Sequence, residues 1–447
     1  MNRIVEYNQA LGYITVEPGV TFAQTAEFLR DRGSNRYLSV IGGPPDASLI
    51  GNMVERGDSV GPYGDRFLHC CNLEVVLPTG NLIRTGFGRY GVSTVSNLHR
   101  YGVGPSLDGL FTQSNLGIVT QATFWLAPKP AYFQVILFAL RSDEHLMDAC
   151  DALKDLIDRG VIPPNSAAIW NRHKFLAWEA QYPWHLMNET TPLSPSAFEK
   201  ISGPWRGMNW IGMVGLYSAS RLHARADRAM VKKALKPHAA RFVALTRTKA
   251  RLCSLFEAPL RWITKKDIGS LVKSLYSESV FVGTPTQKSV QGMYWRKRGP
   301  IPAEPHPERD NCGVLWLCPT VPFTRTDLAV SVQLMKSHLE KHDFEPLIAM
   351  TFPSARSIYV LPSIVYDRDV SGEDSRALLC HDDLLSAFIE KRYFPHRLGI
   401  QSMGSLPAPS NEFVEFWRSL KGIIDPSGIL SPGRYSFSDN INKGTGD

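Results

Sequence analysis

The sequence predicts an α+β protein in two main parts, and three observations carry that prediction. The first 130 of its 447 residues are rich in turn formers and read as short hairpins with little helix. Beyond Pro130, extended apolar runs alternate with longer segments whose apolar residues recur at three- and four-residue steps, a strand-then-helix pattern. The connections between these units are long, which favours helices on one face of a mainly antiparallel sheet. With 43% of residues in the set AVILMFWYC and 20% charged, the chain buries about three quarters of its unfolded surface and needs neither disulfides nor metals to fold.

Taken in order, residues 3–7 and 12–16 form a hairpin that stops at Pro18-Gly19. Thr21 caps a short helix carrying Phe22, Ala26, Phe28 and Leu29. Residues 73–77 and 81–84 flank the turn Pro78-Thr79-Gly80, and 116–126 is a third extended stretch closed by Pro128 and Pro130. Strands then fall at 132–139, 209–217, 313–319 and 357–366, each followed by a helix at 142–159, 220–235, 326–342 and 372–392. In the third of these helices Leu328, Val332, Met335 and Leu339 mark one apolar face. An amphipathic helix at 411–421 leads into a tail rich in proline and glycine, so the chain divides into 1–130, 131–404 and 405–447.

The net charge of +7 (49 Lys+Arg against 42 Asp+Glu) is spread in short clusters such as Arg296-Lys297-Arg298, which read as solvated surface. A nucleic-acid binder concentrates its basic excess on one stripe, so that class is set aside. Seven irregularly spaced cysteines fit reduced, mostly buried thiols in a cytoplasmic protein. No run approaches the ~18 apolar residues of a membrane span, and the polar start at Glu6-Tyr7-Asn8-Gln9 is unlike a signal-peptide core.

Two local motifs are weak. Gly86-Phe87-Gly88-Arg89-Tyr90-Gly91 has the G-x-G-x-x-G spacing of a dinucleotide turn, but Ser93, Thr94, Val95 and Ser96 make a poor helix start. His338 and His342 stand four apart on one helix, as in a zinc pair, yet no third ligand is identifiable and surface histidines are the simpler reading. The stronger signals are the glycine clusters at 48–57, 61–65 and 109–120, either tight turns or a cofactor cradle.

Val16-Glu17-Pro18-Gly19-Val20, the 51–57 block, Pro62-Tyr63-Gly64-Asp65, the 109–120 block and Asp425-Pro426 with Pro432-Gly433-Arg434 occur in one order. Together they resemble the vanillyl-alcohol oxidase / para-cresol methylhydroxylase flavoproteins that act on 4-alkylphenols. The resemblance implies an FAD-binding domain of the para-cresol methylhydroxylase type under an α+β substrate domain with a mainly antiparallel sheet. Ser48, Ile50, Asn52, Glu55, Arg56 and Gly57 match the strip lining flavin and pyrophosphate, Gly117 and Ile118 match backbone contacts to the dinucleotide, and Arg434 matches a basic residue near the ring. Relatives can link the flavin covalently. Tyr359 is the nearest match to that attachment point, and a strand tyrosine packing on the core is the alternative.

The same resemblance implies that Arg397 and His396 stabilise a phenolate, where a tyrosine stands in place of His396 in relatives. An acidic residue beside the flavin aligns with Gly43; Asp46, three positions later, is either its substitute or a turn aspartate. The implied activity is FAD-dependent hydride abstraction from the benzylic carbon of 4-substituted phenols such as 4-cresol, vanillyl alcohol or eugenol, through a quinone methide. The implied partners are a small phenolic substrate, with a second copy of the chain or a cytochrome c electron acceptor. In the family a further segment precedes the 3–7 strand and supplies the pyrophosphate loop. The alternative expectation is therefore an N-terminally incomplete, non-catalytic subunit that needs a second chain to hold FAD.

Overall fold

The computed structural model describes residues 1–91, 93–187, 192–255 and 268–436; the tail end, 437–447, lies outside the described residues. The first part builds a five-stranded antiparallel sheet in the order Ile4–Asn8, Tyr13–Val16, Ile118–Trp125, Cys70–Val76, Leu82–Arg84. The hairpin pattern makes the two outer pairs, and the 118–125 stretch lies between them, with Val119, Ala122 and Phe124 in the core and Thr123 bonded to Thr15 of the neighbouring strand at 2.8 Å. The Phe22–Asp31 helix starts at Thr21, whose Oγ1 accepts from the Gln24 amide at 3.1 Å. Phe22 and Leu29 bury against Ile14, Val16, Leu73 and Phe124.

The second part is an eight-stranded, wholly antiparallel sheet. Its order is Arg241–Thr246, Tyr132–Leu140, Trp210–Ser218, Ala167–Asn171, Leu347–Thr351, Ser357–Asp367, Cys312–Trp316, with Thr320–Pro322 also pairing with the Ser357–Asp367 strand. Four long helices, Asp143–Asp158, Arg221–Leu235, Arg325–Lys341 and Glu373–Glu390, share one core with one face of this sheet. Strand side chains alternate between faces. In the Ser357–Asp367 strand Ile358, Val360 and Ile364 join the helical core, while Tyr359, Leu361, Ser363 and Val365 face a cavity on the other side. Ala349 and Thr351, and Ala168 and Trp170, alternate in the same way with their core neighbours.

The two parts meet where the 58–65 loop lies on the large sheet. Gly61 N–H donates to Asn165 O at 2.8 Å, and a Cβ on Gly64 would sit 2.3 Å from Ser59 O and 2.4 Å from Asn165 Cβ. That close approach is the physical reason for glycine in Pro62-Tyr63-Gly64-Asp65.

Several sequence expectations change. Arg296-Lys297-Arg298 is only partly solvated surface: Arg296 is buried in an ion pair with Glu345 and Lys297 lies between Asp367 and Asp369, while Arg298, over the Trp184 ring, is exposed as expected. The acids come from positions 49 to 72 residues away, so no local pattern reveals them. The 86–91 glycine motif is a 3-10 turn, with Gly86 and Gly91 at φ +57° and +81°. His342 bonds Asp383 at 2.9 Å, and His338 bonds the Leu334 carbonyl one turn back. The expected 313–319 strand breaks at Leu317-Cys318-Pro319, between Cys312–Trp316 and Thr320–Pro322. All seven cysteines are free, and only Cys253 is not buried. Among the described residues no helix is long and apolar enough to cross a membrane.

Candidate functional site

A cavity of about 470 Å³ lies on the sheet face opposite the long helices, roofed by the 41–44 and 58–60 loops of the first part. At one end stand Tyr359, His396, Arg397 and Asp58. The strand break at Cys318 positions the histidine: the freed Cys318 carbonyl accepts from the His396 amide at 3.1 Å and from its Nδ1 at 3.0 Å. Facing an oxygen that can only accept, Nδ1 carries the hydrogen and Nε2 carries the lone pair. Nε2 is buried and has no partner among the described residues. Burial and the Arg397 charge lower the His396 pKa to about 4, so the ring is neutral at physiological pH. Its ring lies on Tyr359, and its carbonyl accepts from Gln113 Nε2 at 2.7 Å.

Arg397 forms no ion pair among the described residues, yet its charge acts on Asp58, Tyr359 and His396. Burial raises the Asp58 carboxyl to about 7 against the opposing effects of the Ser59 amide, Thr351 and Arg397, so the group titrates near neutrality. Burial likewise lifts the Tyr359 hydroxyl to about 12. The end therefore offers a neutral acceptor, a fixed cation and a carboxyl poised at neutral pH, which suits an oxygen that gains negative charge during reaction.

Of the residues expected from sequence, Asn52, Tyr359, His396 and Arg397 line this cavity together. Gly57 lies against Asn52, whose Nδ2 would be 2.0 Å from a Cβ there. The rest stand elsewhere. Ser48 caps the Leu49–Val54 helix by accepting from the Gly51 amide and also donates to Pro18 O; Ile50 is in the core. Glu55 is gripped by Arg434 and by the Tyr435 hydroxyl, tying the tail to the helix end. Arg56 donates to Thr112, Gly117 packs against Val75 and Phe111, and Ile118 is exposed at a strand start. Asp46 is exposed and does not line the cavity, whereas its neighbours Gly42, Gly43 and Pro44 do. Asp58, an acid that does line it, and Lys174, one of two lysines that do, were not singled out from sequence. Their signals were faint: Asp58 follows the Gly51–Gly57 strip, and Lys174 sits between Trp170 and Trp178.

Residues 1–86 match the family model described as an FAD binding domain. The chain is 39% identical to 1'-carboxy-chondrochloren decarboxylase of Chondromyces crocatus, over 98% of this chain and 80% of that protein. It is 27% identical to the flavoprotein subunit of 4-cresol dehydrogenase (hydroxylating) of Pseudomonas putida, over 98% of this chain and 78% of that one. Its fold matches p-cresol methylhydroxylase with a TM-score of 0.83 and 4-ethylphenol oxidase from Gulosibacter chungangensis with 0.84, at 24% and 23% identity, each over 98% of this chain and 78% of the other.

Proposed function

Because the chain belongs to the vanillyl-alcohol oxidase / para-cresol methylhydroxylase family of FAD-dependent oxidoreductases, we propose that it withdraws a hydride from the benzylic carbon of a 4-substituted phenol. The observation that carries this reading is the Nε2 of neutral His396, without a partner among the described residues, beside Arg397, which forms no ion pair among them, in an aromatic cavity. Nε2 accepts the phenolic hydrogen, and Arg397 holds the oxygen as negative charge builds on it.

The cavity residues fit a flavin ring. Such a ring has apolar faces and an edge of N–H donors and carbonyl acceptors. Ile41 and Met213 supply apolar walls, Gly42 and Gly43 a backbone bare of side chains, and Asn52 Oδ1 a buried acceptor without a partner among the described residues. These residues would hold the ring, with Tyr359 the candidate for a covalent link. When bound, FAD supplies the two-electron sink for the benzylic hydride, which leaves the substrate as a quinone methide. Asp58 is the group that exchanges protons with the site near neutral pH.

A second reading is favoured by the 39% identity to a decarboxylase across nearly the whole chain. If the carbon next to the benzylic position bears a carboxylate, the electron pair of its C–CO₂ bond moves into the quinone methide. That step rearomatises the phenolate and releases CO₂ and a vinylphenol.

The test mixes FAD-loaded protein anaerobically with 4-ethylphenol, vanillyl alcohol and 3-(4-hydroxyphenyl)propionate, following flavin absorbance and products by mass. Bleaching with any of the three phenols supports the first reading, and a vinylphenol from the acid supports the second. Flavin that stays oxidised with every phenol overturns both.

A further inference from the structure

Lys174 lies in the wall of the same cavity, away from His396. Its Nζ donates to Ser363 Oγ at 2.9 Å and lies 5.5 Å from the centre of the Trp316 ring. Phe175, Trp178 and Trp205 line the cavity nearby. The position is built rather than incidental. The buried Asn171 holds the first turn of the Arg172–Glu179 helix by accepting from the Lys174 amide at 3.0 Å, and it joins that turn to the sheet through Ile348 N and the Pro346 carbonyl.

What is missing is a counter-charge. Lys174 forms no ion pair among the described residues, and burial alone lowers its pKa, to about 8. Lys297, by contrast, has both Asp367 and Asp369; Lys288, the cavity's other lysine, donates to Ser274 at 3.2 Å. The cavity's other carboxylates do not serve. Glu179 and Glu278 are exposed, with Glu278 bonded to Lys273, and Asp58 stands at the His396 end. A half-buried ammonium whose polar partner is one hydroxyl, with an indole face beside it, leaves room for an anion to complete it.

We propose that Lys174 and Ser363 form an anion subsite that takes the carboxylate on the para side chain of the substrate. The inference rests on the phenol reading above, because it assigns the opposite end of the same molecule. Tyr359 and Ser363 are four residues apart on one strand face, which puts the two ends roughly 13 Å apart. A methylphenol is too short to engage both. One ammonium, one hydroxyl and indole walls suit a carboxylate better than a heavily hydrated phosphate dianion.

The experiment measures binding to the FAD-loaded protein by titration calorimetry and by quenching of tryptophan fluorescence. The probes are 4-hydroxyphenyl acids of two to four side-chain carbons, their primary amides, and the matching acids without the phenol hydroxyl. At least one hydroxyphenyl acid is expected to bind tenfold or more tightly than its amide. K174M should abolish that preference while leaving amide binding within twofold, and S363A should reduce it. Equal affinity of wild-type protein for every acid and its amide overturns the subsite, whether or not K174M folds. So does a preference that survives in folded K174M. Failure of the phenol reading looks different: acids with and without the hydroxyl would bind alike, and K174M would weaken both.

Discussion

The imidazole of His396 lies on the phenol ring of Tyr359, with centroids 4.1 Å apart and planes 18° from parallel. The stack and the two bonds to the Cys318 carbonyl fix the ring, so Nε2 is presented without rotamer freedom to lose on binding. His396→Phe keeps a ring on Tyr359 and keeps the backbone bond to Cys318, but removes the acceptor. Loss of one such hydrogen bond costs about 1 kcal/mol, or roughly fivefold in the Kd of 4-ethylphenol. Because the wild-type ring stays neutral down to about pH 4, any step in affinity near pH 7 belongs to Asp58 and should persist in His396→Phe and vanish in Asp58→Asn. A titration of Kd against pH for the three proteins checks both points, and a step near 6.5 that His396→Phe removes would show a solvated histidine.

Tyr359 carries a second prediction. If its oxygen is the flavin attachment point, Tyr359→Phe protein precipitated with acid should release all its flavin to the supernatant, while wild-type protein retains it. Equal release from both means that the tyrosine only packs against His396. Equal retention would put the link on another residue.

How much of this could be read in advance follows from how far each interaction reaches along the chain. The Thr21 cap needs only residues three apart, and the apolar spacing of Leu328, Val332, Met335 and Leu339 is local; both were legible. The Leu347–Thr351 strand was not, because Glu345-Pro346 before it and Phe352-Pro353 after it disguise five residues that a sheet buries between two neighbours. His396 and Arg397 were legible only through family resemblance. Their chemistry depends on a carbonyl at Cys318, 78 residues away. Asp58 and Lys174 become conspicuous only once folding removes water from a carboxyl and an ammonium, and no motif encodes burial. Asp46 failed for the converse reason: a loop acid three residues from the right place points to solvent.

Asp58 should leave a signature in stability. Its folded pKa of about 7 stands above the ordinary 3.8, so between those values the folded protein holds a proton that the unfolded chain has released. Stability then falls as pH rises through that window and levels off above 7. Asp58→Asn removes the effect without changing shape. The variant should gain on wild type from pH 4 to pH 8, by about 1–3 °C in Tm, as followed by scanning fluorimetry. It should also flatten any limb of the rate profile near pH 7. A Tm difference that does not change with pH would mean that Asp58 ionises freely in the folded protein.

The buried pair Arg296–Glu345 yields the sharpest stability test, since the two side chains are only 4% and 2% exposed. Glu345 also accepts from the Leu193 amide at 3.1 Å, and Arg296 donates to the Asp343 carbonyl at 3.3 Å. Arg296→Met strands a carboxylate in the interior and should cost about 3–5 kcal/mol, read as a lower urea midpoint. Adding Glu345→Leu removes the stranded charge and leaves chiefly the Leu193 amide unpaired, a loss of about 1–3 kcal/mol. The double variant should therefore be more stable than Arg296→Met alone. Strictly additive losses would mean that water reaches the pair and screens it. Partial recovery would establish that Arg296 is tied into the fold by an acid 49 residues away, and that reading this arginine as solvated surface mistook the partner's distance in sequence for its absence.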